Sequence, residues 1–154
     1  IEAAIQSMLV SNQEAAKCLQ GYDVGGCTDV TGFGVIGHLL EMTRASGAAA
    51  ELMLTEIPVL EGAHETVKAG IFSSLQPQNR RQESVIQNLE QISGDDRFSL
   101  LFDPQTAGGL LVSVPSTQAQ SCIQDLQRAG YHSASIIGRV HNVESQGARI
   151  TVIP

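Results

Sequence analysis

Residues 27–38 read CTDVTGFGVIGH, and this stretch decides the fold around it. A short apolar run ends in Asp29, a glycine-spaced turn follows, and a helix is predicted over residues 34–45 with Gly47 as its C-terminal stop. A carboxylate at a strand end that faces a helix N-terminus can hold a hard cation, while backbone N–H groups hold the anion that the cation carries. The pattern therefore indicates either a site for a magnesium nucleotide or a carboxylate that only caps the helix or the turn.

The predicted helix has one apolar face. That face carries Val35, Ile36, Leu39, Leu40, Met42 and Thr43. Gly37 is expected on the side away from it, where close approach of another backbone or a ligand would explain a glycine that costs about 1 kcal/mol relative to alanine. His38 lies at the edge of the apolar face, and we interpret it as a packing or hydrogen-bonding residue and not as a catalytic one.

Length and composition describe an ordinary globular domain. The 154 residues, 42% hydrophobic and 16% charged, suit a single domain over residues 1–154. A net charge of −7 disfavours binding to nucleic acid, which requires a basic surface. No apolar run approaches the roughly 20 residues of a membrane span, so no membrane association is predicted. The chain opens on Ile1 and not on Met, and we expect it to be a fragment of a longer polypeptide.

The three cysteines are Cys18, Cys27 and Cys122, and they form no CxxC pair or cysteine–histidine cluster. Inert thiols in a reducing cytoplasm are therefore expected. Cys27 has no neighbouring histidine or lysine in sequence that would activate it as a nucleophile.

The rest of the chain alternates helical and extended patterns. Helices are predicted over residues 1–19, 60–68, 81–92 and 117–129, and strands over 27–30, 49–54, 98–102, 110–114, 135–143 and 149–153. Residues 145–147, SQG, have the chemistry of a hairpin turn between the last two strands. This order predicts an α/β domain of the mixed α+β kind, in which a mixed sheet is packed with helices.

A second loop, residues 103–109 with the sequence DPQTAGG, resembles the loop after Asp29. In both loops an acidic residue follows an apolar segment, and a threonine and glycines come after it. Gly108 and Gly109 permit a ligand to approach the main chain, although any tight turn also favours Asp, Pro and Gly. Because ligand sites in such folds collect at loops near strand ends, we expect the Asp29 and Asp103 loops to lie near a common face.

The segments TDVTGFG at 28–34, GHLLEM at 37–42 and DPQTAGGLL at 103–111 together resemble the selenophosphate synthetase (selenide, water dikinase) family. The resemblance covers essentially the whole chain and corresponds to the C-terminal domain of that family. It implies membership of the aminoimidazole ribonucleotide synthetase superfamily, whose C-terminal domain is related to the ferredoxin-like arrangement. In that superfamily, ATP lies between this domain and a dimer-forming N-terminal domain.

The resemblance implies ATP-dependent conversion of selenide and water to selenophosphate, AMP and phosphate. By position in the motif, Asp29 would join carboxylates of the missing N-terminal domain around Mg²⁺ on the ATP phosphates. The full-length protein would be a homodimer that binds ATP and selenide. The nucleotide-binding residues expected in this chain are Thr28, Thr31, Gly32, Gly34, Asp103, Thr106 and Gly108.

The family's glycine-rich N-terminal segment, with its catalytic cysteine or selenocysteine and lysine, is absent from this sequence. No cysteine here matches that position, so no catalytic residue is assigned to this chain. Ala107 stands where the family often has serine. The contrasting hypothesis is a non-catalytic regulatory or scaffold domain of a degenerate paralogue. A third is another superfamily member, an aminoimidazole ribonucleotide synthetase or thiamine-phosphate kinase, which the motifs argue against.

Overall fold

The computed structural model describes residues 2–143 and 149–154. The α-helices are α1 (Glu2–Leu9), α2 (Gln13–Leu19), α3 (Gly34–Ser46), α4 (Ala63–Lys68), α5 (Gln76–Asn79), α6 (Leu89–Ile92) and α7 (Ser116–Arg128). The strands are β1 (Gly26–Asp29), β2 (Ala48–Met53), β3 (Leu110–Ser113), β4 (Gly138–Asn142) and β5 (Arg149–Ile153). Short 3₁₀ segments cover Leu54–Glu56, Arg80–Val85 and Phe98–Phe102. The predicted mixed α/β class is confirmed.

The described strands form two sheets. Strands β1 and β3 pair antiparallel, with Asp29 opposite Leu110 at the end of the ladder. Strand β2 lies between β4, to which it is antiparallel, and β5, to which it is parallel. The order of this mixed sheet places β2 at its centre, so the two C-terminal strands flank β2 instead of pairing with each other. The prediction that they form a hairpin is therefore wrong, and the predicted turn at residues 145–147 lies outside the described residues.

The hydrophobic core lies between α3 and the mixed sheet. Helix α3 buries the apolar face that its sequence predicted, including Ile36, Leu39 and Leu40. Gly47 ends the helix in the left-handed conformation, with φ of 63° and ψ of 30°, as expected for a C-terminal glycine. None of the helices in residues 2–143 and 149–154 combines the length and the hydropathy needed to cross a membrane.

Residues 98–102, predicted as a strand, form a 3₁₀ segment. Phe98, Leu101 and Phe102 are all buried, and a spacing of three and four residues puts side chains on one side of a helical turn but on both faces of a strand. The two phenylalanine rings meet edge to face at 5.1 Å. A short apolar run fits either structure in isolation, and packing under α3 decides in favour of the turn.

The predicted helix over residues 81–92 is also wrong. Its first part is a 3₁₀ segment that ends at Val85, and the next residue, Ile86, is extended and bridges Ile150 in β5. The amide N–H of Gln87 donates to the Ile150 carbonyl at 2.9 Å, and both side-chain amide atoms of Asn88 bond the backbone of Val152. Hydrogen bonds between residues 86–88 and the edge of β5 therefore interrupt the predicted helix, and only Leu89–Ile92 is α-helical.

The single helix predicted over residues 1–19 is divided into α1 and α2. The hydroxyl of Tyr131 donates to the Ser11 carbonyl at 2.6 Å and accepts from the Ala15 amide at 2.9 Å. These contacts replace the helical bonds at the break, because the one phenol hydroxyl donates to a carbonyl between the two helices and accepts from an amide in α2.

Candidate functional site

Asp29 is the last residue of β1, and its side chain is exposed. Its carboxylate makes no hydrogen bond or ion pair with a residue of the described part of the chain, and its backbone carbonyl accepts from the Thr28 hydroxyl. Helix α3 begins after Phe33 without a side-chain cap. The carboxylate is therefore not occupied as a helix or turn cap, which is the structural role that the sequence left open.

The loops at 29–34 and 103–109 are hydrogen-bonded to each other. The Val30 N–H donates to the Gly109 carbonyl at 2.9 Å, and the Gln105 N–H donates to the Thr31 carbonyl at 3.0 Å. These bonds continue the β1–β3 ladder beyond Asp29 into the loops. The expectation that the two loops lie near a common face is confirmed.

Two of the predicted glycines are required by close backbone contacts. A Cβ on Gly108 would lie 1.8 Å from the Val30 carbonyl oxygen. Gly34 has φ of 68°, and a Cβ there would lie 2.9 Å from the carbonyl oxygen of Leu101. Both positions therefore exclude a side chain, because each backbone lies directly against another. The lack of a side chain at these two glycines therefore allows close backbone packing at the loops.

Two asparagines that the sequence analysis did not single out hold the loops from outside. The buried Asn79 donates from Nδ2 to the Gly32 carbonyl at 2.7 Å and to the Phe102 carbonyl at 3.0 Å. Asn12, at the start of α2, donates from Nδ2 to the Gly108 carbonyl at 3.0 Å instead of capping its own helix. No local pattern marks either residue as part of the site, because both partners are distant in sequence.

Helix α3 presents His38 to the first loop. Its Nε2 lies 3.0 Å from the Thr31 backbone nitrogen and 3.1 Å from the Thr31 hydroxyl. Gly37 is buried because the Gln82 side chain and Phe33 lie over it, and it lines a surface cavity together with Glu41 and Arg44, which the sequence placed on the face away from the core. The close neighbours of this glycine are side chains and not another backbone, and the close approach of a ligand stays a prediction.

The remaining predicted residues lie at the end of β1 and in the same two loops. Thr28 donates its hydroxyl to the Asp29 carbonyl at 3.1 Å. The backbone N–H groups of Gly32 and Thr106 make no hydrogen bond to a described residue. Asp103 is half-buried and accepts from the Gln105 side-chain amide at 2.9 Å. Burial raises the pKa of Asp103, and the Gln105 hydrogen bond opposes that shift only in part.

The three cysteines are free thiols without an activating environment. Desolvation raises the pKa of Cys27, and the negative charge of Asp29 raises it further. Desolvation likewise raises the pKa of Cys18 and of Cys122. A thiol with a raised pKa is a poor nucleophile at neutral pH, which agrees with the assignment of no catalytic cysteine to this chain.

A surface cavity of about 310 Å³ lies between α3 and the 3₁₀ segment Arg80–Val85. Phe33 from the first loop forms one wall, and its side chain is 51% exposed. Two arginines, Arg44 and Arg81, also line the cavity. Residues 2–143 and 149–154 contain no group of three or more His, Cys, Asp or Glu side chains arranged to hold a metal ion.

Comparison with known proteins agrees with this architecture. Residues 2–151 match the family model described as AIR synthase related protein, C-terminal domain. The selenide, water dikinase 2 of Peptoclostridium acidaminophilum is 36% identical over 147 residues, which cover 94% of this chain and 42% of that protein. The selenide, water dikinase of Clostridioides difficile is 37% identical over 143 residues, covering 90% of this chain and 40% of that protein.

A solved structure, that of E. coli HypE, a hydrogenase maturation protein, superposes with a TM-score of 0.58 at 18% identity, over 94% of this chain and 37% of HypE. This likeness concerns the fold alone. The similarity to selenide, water dikinases that the two motifs indicated is confirmed, and the chain spans about two-fifths of the length of the curated relatives named above. The chain belongs to the family of AIR synthase related proteins, of which it matches the C-terminal domain.

Proposed function

We propose that this chain is the C-terminal, nucleotide-site domain of an ATP-dependent selenophosphate synthetase. The full-length enzyme would convert selenide, ATP and water to selenophosphate, AMP and phosphate. The proposal is supported by the relatives named selenide, water dikinase, and by the pairing of the two loops that carry the resemblance. Its single most important observation is the exposed and unengaged carboxylate of Asp29 at the end of β1.

Asp29 is proposed as a ligand of Mg²⁺. Its carboxylate fits that role, because Mg²⁺ prefers carboxylate oxygens and takes only one or two from a protein segment. When bound, the ion would neutralise the charge of the ATP phosphates and orient them for transfer. The described residues contain no complete set of ligands, so the remaining carboxylates are proposed to come from the N-terminal domain.

The two loops are proposed to line the phosphates beside Asp29. The N–H groups of Gly32 and Thr106, which donate to no described residue, are available for phosphate oxygens. Thr28, Thr31, Gly34 and Gly108 hold the backbone in this arrangement through the contacts described above. Asp103 provides a second, half-buried carboxylate, which a cation would stabilise in its ionised form.

The remaining elements of the proposal concern the whole protein. An N-terminal domain would supply the nucleophile and most of the positive charge, because this chain is acidic overall. We further propose a homodimer, and a cytoplasmic location that suits three free thiols. The alternative of a degenerate, non-catalytic paralogue finds no support in the relatives, which carry the name of the active enzyme.

Substitution Asp29→Asn in the full-length protein tests the proposal. Asparagine keeps the size of the side chain but removes the charge that Mg²⁺ requires, so selenide-dependent ATP turnover should be abolished or severely reduced. The thermal midpoint should stay the same, because the side chain is exposed and makes no hydrogen bond with a described residue. Normal turnover in this variant would refute the metal-site proposal.

Asp96→Asn is the matched control. This exposed carboxylate pairs with Lys68 at 3.3 Å, away from both loops in sequence. An exposed ion pair of this kind contributes about 1 kcal/mol or less. Turnover by the control should equal that of the wild-type protein, and a comparable loss in both variants would attribute the effect to net charge.

A further inference from the structure

His38 is a buried imidazole that is bonded to the loop after Asp29. The residue is only 5% exposed, and its Nε2 faces two polar groups of Thr31, the backbone N–H at 3.0 Å and the hydroxyl at 3.1 Å. A backbone N–H can only donate, so Nε2 must be an acceptor without a proton. The neutral ring therefore carries its proton on Nδ1.

The surroundings of Nδ1 agree with this tautomer. This atom is buried and has no hydrogen-bond partner among the described residues. The nearest carboxylate is that of Glu41, one turn along α3, whose Oε2 lies 3.7 Å away. Its negative charge favours a proton on the near nitrogen, Nδ1, over the far one. The Phe33 ring, with its centroid 5.6 Å from that of His38, covers the imidazole.

The contact matters because His38 holds the one backbone group of Thr31 that the loops themselves leave unpaired. The Thr31 carbonyl accepts from the Gly34 and Gln105 amides at 3.1 and 3.0 Å, and the Val30 N–H is bonded to Gly109. The Thr31 N–H is bonded by a side chain instead, and that side chain is His38. The Val30 N–H and both backbone polar groups of Thr31 are thus hydrogen-bonded once His38 is in place.

We propose that His38 is a positioning residue for Asp29. Acting as an acceptor at Nε2, it fixes Thr31 and with it the direction in which Asp29, two residues earlier, presents its carboxylate to a divalent cation. His38 itself contacts neither cation nor nucleotide. This inference rests on the proposed function, since it concerns the metal role of Asp29.

The test compares His38→Gln with His38→Met in the full-length protein. The two side chains are nearly equal in size and length, but only glutamine offers a strong acceptor at the reach of Nε2. In His38→Met, the Mg²⁺ concentration for half-maximal ATP turnover should rise roughly tenfold, because losing one hydrogen bond changes an equilibrium by about that factor. In His38→Gln, it should stay within about threefold of the wild-type value, within the scatter of such effects.

Hydrogen–deuterium exchange at the Thr31 amide is the second readout, and it does not depend on activity. The amide should be protected in the wild-type protein and in His38→Gln, and should exchange faster in His38→Met. Thermal melting of each variant separates this local effect from general unfolding. If methionine prevents folding, His38→Asn replaces it, because its amide is too short to reach Thr31.

Equal Mg²⁺ requirements in the glutamine and methionine variants, or an unchanged Thr31 exchange rate in the methionine variant, would overturn the inference. If His38→Gln folds but His38→Met and His38→Asn do not, the role of His38 is to stabilise the fold, and the inference is overturned as well. The Asp29→Asn result keeps the two proposals apart. Loss of turnover there with no effect of His38→Met would reject only the positioning role, whereas full turnover in Asp29→Asn would reject the metal site itself.

Discussion

Gly108 and Gly109 are adjacent glycines whose surroundings differ sharply, and this makes the contact between the loops testable. A Cβ added to Gly108 would lie 1.8 Å from the Val30 carbonyl oxygen and 2.9 Å from the Val30 carbonyl carbon. A Cβ added to Gly109 would meet nothing within 4 Å, and neither residue has a positive φ. Gly108→Ala should therefore disrupt the site, and Gly109→Ala should not.

The expected magnitude follows from these distances. Ordinary contact requires more than 3 Å, so the loop or the end of β1 must move by more than about 1 Å, and forcing a methyl group into a packed region costs about 1–3 kcal/mol. The movement also strains the bonds of Val30 to Gly109 and of Gln105 to Thr31, each contributing about 1 kcal/mol. We expect a loss of about 3 kcal/mol, which corresponds to a thermal midpoint lowered by about 6–12 °C for a domain of this size.

Calorimetric melting and urea unfolding of wild type, Gly108→Ala and Gly109→Ala provide the measurement. Gly109→Ala should remain within about 0.5 kcal/mol of wild type, as surface substitutions usually do. In the full-length protein, Gly108→Ala should also lose ATP turnover, because the loops no longer meet. Equal stability of the two alanine variants would refute the close contact between Gly108 and Val30, and with it the argument that this glycine brings the loops together.

Three further predictions test the remaining parts of the site. Asn79→Asp places a buried carboxylate against two carbonyl oxygens and should lower the free energy of unfolding by about 3 kcal/mol or more at neutral pH. Urea unfolding should show a smaller loss as pH falls, because the protonated acid becomes a hydrogen-bond donor. Burial raises the pKa of Asp103, so the folded state binds that proton more tightly than the unfolded state, and this contribution to stability is lost as pH rises through the raised pKa. Asp103→Asn should therefore flatten the dependence of unfolding free energy on pH as pH rises above about 4, the ordinary pKa of an aspartate, and a difference between the two proteins that does not change with pH would contradict the shift. The purified 154-residue chain alone should show no selenide-dependent ATP hydrolysis, because phosphoryl transfer requires positioning and charge neutralisation by groups that this chain lacks, and measurable turnover would refute this.

The sequence alone determined the central unit of the site. Strand β1, the glycine turn and helix α3 were predicted within one or two residues, because a short apolar run, a 3.6-residue apolar period and a terminal glycine are all local signals. The likeness between the loops at 29–34 and 103–109 likewise predicted that they would meet. Local chemistry also indicated that no cysteine of this chain is activated, in agreement with the raised pKa of Cys27.

Only the tertiary structure decided the elements whose partners lie far away in sequence. Residues 98–102 became a 3₁₀ turn through packing under α3, and Ile86 left its predicted helix to bridge β5. The position of β2 between β4 and β5 has no local signal, because the order of strands in a sheet depends on which strands are available to pair.

The same reason explains what the sequence analysis missed at the site. Asn79 bonds the Gly32 carbonyl 47 residues earlier, and Asn12 bonds the Gly108 carbonyl 96 residues later. An asparagine has the same appearance in sequence whether it caps a helix or crosses the domain, because its partner is set by the folded backbone. Local physics specified which residues form the two loops. Long-range hydrogen bonds and the lack of room for a side chain at Gly108 determined how those loops are held together.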